Sequence, residues 1–185
     1  MYHLFFDVDL TLASHANDLQ WMEAGWRDRA MANCGEPYIN EACGYIHSPL
    51  FKMHHQQFFI KIKPLVFSYC KIYIVAAGYA NDKDSLLEMI EYFYGQGIFS
   101  VERVYNRIDL IFYEGEKTDL IYDVIGEAQL ATEQQKKRIV LIDDKVDFRF
   151  SAETFGFRTL NPTAEDYVEQ LATLQKDIVA LAQKP

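Results

Sequence analysis

The sequence predicts an α/β fold in three layers, a parallel sheet flanked by helices, on three observations. Short apolar runs recur along the chain and stop on Gly or Asp; they are continuous rather than alternating, as in strands buried on both faces. Apolar stripes at helical spacing lie between them, the pattern of helices with one buried side. Strand and helix patterns alternate, which calls for right-handed crossovers between parallel strands. The chain has 185 residues, 50% apolar and 15% aromatic. That is enough for one compact core and too little for two, so a single domain over residues 1–185 is expected.

The elements follow in order. Tyr2 to Phe6 (YHLFF) is a strand that stops at Asp7-Val8-Asp9-Leu10-Thr11. Residues 13–70 are the exception to the alternation. A helix is expected through Leu19, Met22, Trp26 and Ala30, then irregular chain around Gly35, Pro37, Gly44 and Pro49. An apolar patch from Phe58 to Val66 is broken by Pro64. Lys71 to Ala77 (KIYIVAA) is rich in β-branched residues and closed by Gly78, a second strand. Leu86, Leu87, Ile90, Phe93 and Tyr94 share one helical stripe, stopped by Gly95 and Gly97. Val101 to Tyr105 and Ile108 to Phe112 read as weaker strands. Leu120, Ile121, Val124, Ile125 and Ala128 form another helical stripe. Arg138 to Ile142 (RIVLI) is the clearest strand and ends in Asp143-Asp144. Phe157 to Leu160 is a last strand before Asn161-Pro162, and Val168, Leu171, Leu174, Ile178 and Leu181 mark a terminal helix.

Charge narrows the function. Lys and Arg total 18 against 27 Asp and Glu, a net charge of −9. A general positive field for nucleic acid is therefore excluded, and any phosphate must be held locally by a metal or a few aimed donors. Cys34, Cys43 and Cys70 are odd in number and lack metal-ligand spacing, so they read as idle thiols of a reducing compartment. No apolar run approaches the ~20 residues that span a bilayer, and the N-terminus shows no secretory signal. A soluble, cytoplasmic protein is expected. His15, His47, His54 and His55 lack His-x-x-x-His spacing and read as solvated. No Gly-x-Gly-x-x-Gly follows a strand, which argues against a dinucleotide fold.

The carboxylates that end the strands are the chemically informative feature. In an open α/β sheet, ligands bind outside the carboxyl ends of the strands. Asp7 and Asp9 alternate with Val8 and Leu10, so both carboxylates can face such a crevice. Asp143 and Asp144 follow a second strand in the same way. Each pair alone is explained by the preference of Asp for turns; two pairs, each behind a buried strand, are not. Four converging carboxylates repel one another unless a hard divalent cation sits among Asp7, Asp9, Asp143 and Asp144, and oxygen ligands suit Mg²⁺.

These motifs resemble those of the haloacid dehalogenase-like (HAD) superfamily of phosphohydrolases, whose sheet is three-layered and Rossmann-like. FFDVDLTL is similar to the first motif, IVLIDDK to the fourth, and Lys117 in EGEKTDLI stands at a helix start where the third-motif lysine is expected. The resemblance runs from Tyr2 to Leu160. It implies that Asp7 is the nucleophile, forming an aspartyl-phosphate, and that Asp9 is general acid and then base, its carbonyl also touching Mg²⁺. Thr11 would orient this loop by hydrogen-bonding Asp9 or its neighbours. Lys117 would neutralise phosphoryl oxygens, Asp144 would ligate the metal, and Asp143 would bind it through water or orient its neighbours.

The second motif departs from the family. Its Ser or Thr falls on Ala76 or Ala77 in VAAGYA, leaving the backbone amides of Ala77 and Gly78 to cradle an oxygen. Losing one donor aimed at transition-state charge costs ~3 kcal/mol, or ~100-fold in rate, which implies a slow phosphatase. Residues 13–70 leave room for a helix and at most a small cap or cover, so the site suits a phosphorylated small molecule or a protein side chain such as phosphotyrosine. Trp21, Trp26, Tyr38, Tyr45 and Phe51 are available to flank the mouth, although core and surface packing explains them more simply. The alternative is a catalytically weak relative that binds a phosphorylated partner; Asp9, useless to a pure binder, argues for the enzyme. A phosphorelay receiver would place the acidic pair first and the lysine last, the reverse of the order here.

Overall fold

The computed structural model describes residues 1–40, 45–78 and 82–183; Cys43 and Gly44 lie outside them. Five parallel strands form the main sheet: β1 (Tyr2–Phe6), β5 (Cys70–Ala76), β6 (Val104–Asn106), β7 (Ile139–Ile142) and β8 (Arg158–Leu160). Their spatial order is β6-β5-β1-β7-β8. Successive connections from β1 run outward through β5 to β6, and the chain then returns across β1 to β7. The order therefore reverses between β1 and β7, whose register pairs Phe6 with Ile142, the place where open α/β sheets in general bind ligands.

Residues 13–70 contribute more than helix and loop. They hold β2 (Ala13–His15), α1 (Ala16–Leu19), α2 (Ala24–Ala30), β3 (Tyr38–Asn40), β4 (Tyr45–Pro49) and α3 (Lys52–Ile62). The three strands pair antiparallel in the order β2-β4-β3. The expected helix through Leu19 to Ala30 is divided into α1 and α2, because the Glu23 carboxylate accepts the amides of Gly25 and Trp26 and starts a new helix. The remaining helices are α4 (Lys83–Tyr94), α5 (Arg107–Ile111), α6 (Lys117–Ile125), α7 (Glu133–Lys136), α8 (Val146–Thr154) and α9 (Tyr167–Ala182). Ile108 to Phe112 thus falls on a helix, not a strand. Asn106 accepts the amides of Ile108 and Asp109 while the Asp109 carboxylate accepts the Asn106 amide, a capping box that turns the chain into α5. Val101 to Arg103 form a 3₁₀ turn ahead of β6.

Side-chain alternation along the central strands divides the core. Leu4, Phe6, Ile72, Ile74, Val140 and Ile142 pack with α2, α3, α4 and α9. Phe5, Tyr73, Val75, Ile139 and Leu141 pack with α5, α6 and α8. Trp26 and Phe51 belong to the first core and cannot flank a site mouth, Tyr38 packs on Tyr92 and Phe93, and Trp21 and Tyr45 are exposed. Among the described residues no helix is long and apolar enough to cross a membrane. Cys70 is buried and Cys34 half-buried.

The histidines correct the sequence reading. His54 is exposed, but His55 and His47 are buried, and His15 and His47 face each other across β2 and β4. His55 Nδ1 lies 2.9 Å from the Leu50 carbonyl and Nε2 lies 2.7 Å from the Tyr167 hydroxyl. A carbonyl only accepts, so Nδ1 carries the proton and Nε2 accepts from Tyr167. Burial pushes the His55 imidazole down to about 3. The unfolded chain, at ~6.5, takes up this proton first on acidification, so the stability it underwrites is whole above that value and lost as pH falls below it. Between pH 7 and pH 5 the loss is about 2 kcal/mol from this group. Urea unfolding of His55→Gln should show an acid-induced loss smaller than that of wild type by this amount; identical losses would refute the assignment.

Candidate active site

Two strand ends and one helix start build the site. Asp7 follows the last residue of β1, and its amide donates to the Ile142 carbonyl at 2.9 Å. Asp143 follows the last residue of β7, and its amide donates to the Leu160 carbonyl at 3.2 Å. Alternation past Phe5 and Leu141 turns both carboxylates to the side of α6. Lys117, the first residue of α6, donates from Nζ to Asp7 Oδ1 and to Asp143 Oδ2, both at 2.6 Å. Lys117 is 1% exposed, Asp143 0% and Asp7 4%, so of the three only Asp7 retains a path to solvent. The Lys117 ammonium also sits 4.9 Å from the centre of the Phe148 ring, a cation–π contact.

Asp144 completes the cluster. Carboxylate oxygens of Asp7, Asp143 and Asp144 all lie within 4.8 Å of one another. The Asp144 Oδ1 is enclosed and has no hydrogen-bond partner among the described residues. Asp143 is fully used: Oδ2 accepts from Lys117, and Oδ1 accepts from the Lys145 amide at 2.8 Å. Arg149, which the sequence reading missed, donates from one guanidinium nitrogen to the carbonyls of Asp143 and Asp144 at 2.7 and 2.5 Å. It reaches them from α8, a helix without the apolar stripe that would have announced it.

Burial pushes the Asp7 carboxyl well above the usual carboxylate range; Lys117 opposes this, and Asp143 and Asp144 add to it. Burial also disfavours the Lys117 charge, but Asp7 and Asp143 outweigh it and hold the ammonium above its ordinary value. The two short contacts on a single ammonium favour the ionised triad, and we take Lys117 as protonated. The Asp144 carboxyl is raised to about 6 by burial and then by Asp143. Lys117 forms ion pairs with Asp7 and Asp143, while Asp144 has no ion pair among the described residues and feels Lys117 and Lys145 only at longer range. The oxygen-only donor set, the excess charge and the orphaned Asp144 oxygen fit a hard divalent cation such as Mg²⁺.

The other sequence-identified residues surround this cluster. Asp9 lies half-buried and outside the carboxylate group. A Cβ built on Gly78, just past β5, would stand 2.1 Å from Asp9 Oδ2, so the two loops meet at van der Waals contact. Ala76 faces the first core and Ala77 the second; alternation therefore puts Ala77 on the side of Asp7 and Lys117. Thr11 is fully buried, and its hydroxyl makes no hydrogen bond among the described residues, contrary to the expected bond to Asp9 or its neighbours. A cleft of about 420 Å³ lined by Tyr122, Leu130, Phe155 and Phe157 shares no residue with the cluster.

Gly78 supplies a direct test of the Asp9 position. Its backbone is outside the left-handed region and, among the described residues, only Asp9 opposes a side chain there. Gly78→Ala should displace the Asp9 carboxylate while the urea midpoint holds. A crystal structure of the variant with Asp9 in its present place would refute the contact.

No protein-family model and no curated protein matches the chain. Among solved structures it is similar to Fcp1, an essential RNA polymerase II CTD phosphatase, at 14% identity and a TM-score of 0.48. That similarity covers 99% of this chain and 54% of the other, so the chain spans about half that protein's length.

Proposed function

We propose that the chain is a HAD-like phosphatase, a Mg²⁺-dependent hydrolase of phosphomonoesters that works through an aspartyl-phosphate. The observation that carries the reading is the convergence of Asp7, Asp143 and Asp144 around the Lys117 ammonium at the strand-order reversal. An Asp7 oxygen attacks phosphorus as the bond to the leaving oxygen breaks. Asp9, outside the cluster, gives that oxygen its proton. Asp9, now a carboxylate, then takes a proton from water, whose oxygen attacks phosphorus and releases Asp7 and inorganic phosphate. Lys117 holds Asp7 in place as a point charge and tempers the negative charge that gathers at phosphorus.

Asp7 and Asp144 would hold Mg²⁺ directly, with the Asp9 carbonyl; Asp143, both oxygens engaged, orients Lys117 and the following turn. The cation supplies charge neutralisation, drawing a phosphate dianion to an acidic protein. Amides of Ala77 and Gly78 replace the missing second-motif hydroxyl, which makes the enzyme slow. Substrates are phosphorylated small molecules or a protein side chain such as phosphotyrosine. The absent hydroxyl at Ala77 favours one second reading, a protein that binds a phosphorylated partner and turns it over poorly. Hydrolysis of p-nitrophenyl phosphate with and without Mg²⁺, in wild type and Asp7→Asn, separates them: metal-dependent turnover lost in the variant supports the enzyme, equal residual rates the binder.

A further inference from the structure

The loop after β1 carries Asp9 and Thr11, yet its own hydrogen bonds define it only locally. The Val8 carbonyl accepts the amides of Thr11, Leu12 and Ala13 at 3.2, 3.0 and 2.9 Å, and the Leu10 amide donates to the Ala13 carbonyl at 3.0 Å. Leu10 sits at φ 55, a left-handed conformation that costs a non-glycine residue energy and persists only where the surroundings over-determine it. Two residues on, at Leu12, the loop is held by a buried polar chain. The Leu12 carbonyl accepts the Leu50 amide at 2.9 Å and the Tyr94 hydroxyl. The same hydroxyl lies 3.0 Å from the Leu50 carbonyl, which also accepts from His55 Nδ1, and His55 Nε2 accepts from Tyr167. Phe51, directly after Leu50, is a second left-handed non-glycine residue, at φ 47. Leu12, Leu50, His55, Tyr94 and Tyr167 are all nearly or fully buried.

We infer that Tyr94, backed by His55 and Tyr167, is a positioning residue that clamps the β1 loop and so holds Asp9 against the reacting oxygen. Tyr94 comes from α4, His55 from α3 and Tyr167 from α9, so three helices of one core layer are linked in a chain, of which Tyr94 alone reaches the loop carbonyl of Leu12. None of them belongs to the acidic cluster, and apolar packing alone would be served as well by Phe at position 94. The hydroxyl has one proton and two carbonyl acceptors, Leu12 and Leu50, so it ties the strained turn at Leu10 to the one at Phe51. The role in turnover rests on the proposed function, with Asp9 as the general acid.

Tyr94→Phe tests it, because the ring and its packing remain. A misplaced acid matters most when the leaving oxygen is basic, so phenyl phosphate should suffer more than p-nitrophenyl phosphate. We expect kcat for phenyl phosphate to fall about 10-fold or more, a smaller fall for p-nitrophenyl phosphate, and an unchanged KM. Amide hydrogen exchange should quicken at Thr11, Leu12 and Ala13 by about 10-fold with global stability little altered. An equal loss on both esters, or none, together with unchanged exchange in this loop, would overturn the inference. If wild type shows no turnover that depends on Asp7, the proposed function fails, and the exchange measurement still decides whether Tyr94 clamps the loop.

Discussion

Asp7→Asn should reduce Mg²⁺-dependent hydrolysis of p-nitrophenyl phosphate by roughly 10⁴-fold or more, to background, because it removes the attacking oxygen itself. The same change should leave the fold as stable as before, or more so. Asn keeps a carbonyl oxygen that can accept from the Lys117 ammonium, now 2.6 Å from Asp7 Oδ1. It also removes the one charge that is repelled by both Asp143 and Asp144. Lys117 still has Asp143 as its ion-pair partner at 2.6 Å. Activity and stability therefore move in opposite directions, as expected where a reactive group is held at a cost to the fold. Turnover and urea unfolding of the same preparation check both halves. A variant that retains wild-type turnover would remove Asp7 as nucleophile; one that loses turnover only because it unfolds would leave the electrostatic account wrong.

Physical signal strength decided which parts of this structure were legible in the sequence. β1, β5 and β7 are buried on both faces, so their apolar runs are unbroken, and the carboxylates behind Phe6 and Ile142 stood out against them. Lys117 was found from its resemblance to a family motif at a helix start, not from periodicity. Ile108 to Phe112 was misread because a short apolar run does not distinguish strand from helix; the deciding signal was the Asn106 to Asp109 capping box. α8 was missed because only Ala152 among its residues is buried, while Val146, Phe148 and Phe150 alternate with Asp147 and Arg149 in a two-residue period. Arg149 was hidden with it. β2, β3 and β4 are strands of 3 to 5 residues whose pairing depends on partners elsewhere in the chain. His55 was taken as solvated because the carbonyl and hydroxyl that make its burial tolerable come from Leu50 and from Tyr167 on a distant helix.

Lys117→Met should destabilise the fold by about 3–5 kcal/mol, the largest stability effect expected of a single change at the site. Methionine fills much of the same volume in the same buried position but leaves Asp7 and Asp143 without a counter-charge, and breaking a buried pair costs more than the pair itself is worth. The size of the loss should therefore depend on the carboxylates, not on Lys117 alone. Removing one of them in the Lys117→Met background, as Asp143→Asn, takes away an uncompensated buried charge and should recover part of the deficit. In wild type the same Asp143→Asn change weakens both the contact to Lys117 and the charge-assisted bond that Asp143 accepts from the Lys145 amide, and should be destabilising. The sign of the Asp143→Asn effect thus reverses with the residue at position 117, a coupling that a double-mutant cycle measured by urea unfolding reads directly. Additive losses would mean that Lys117 contributes only packing, and the charge balance that makes this cluster fit for a divalent cation would have to be given up with it.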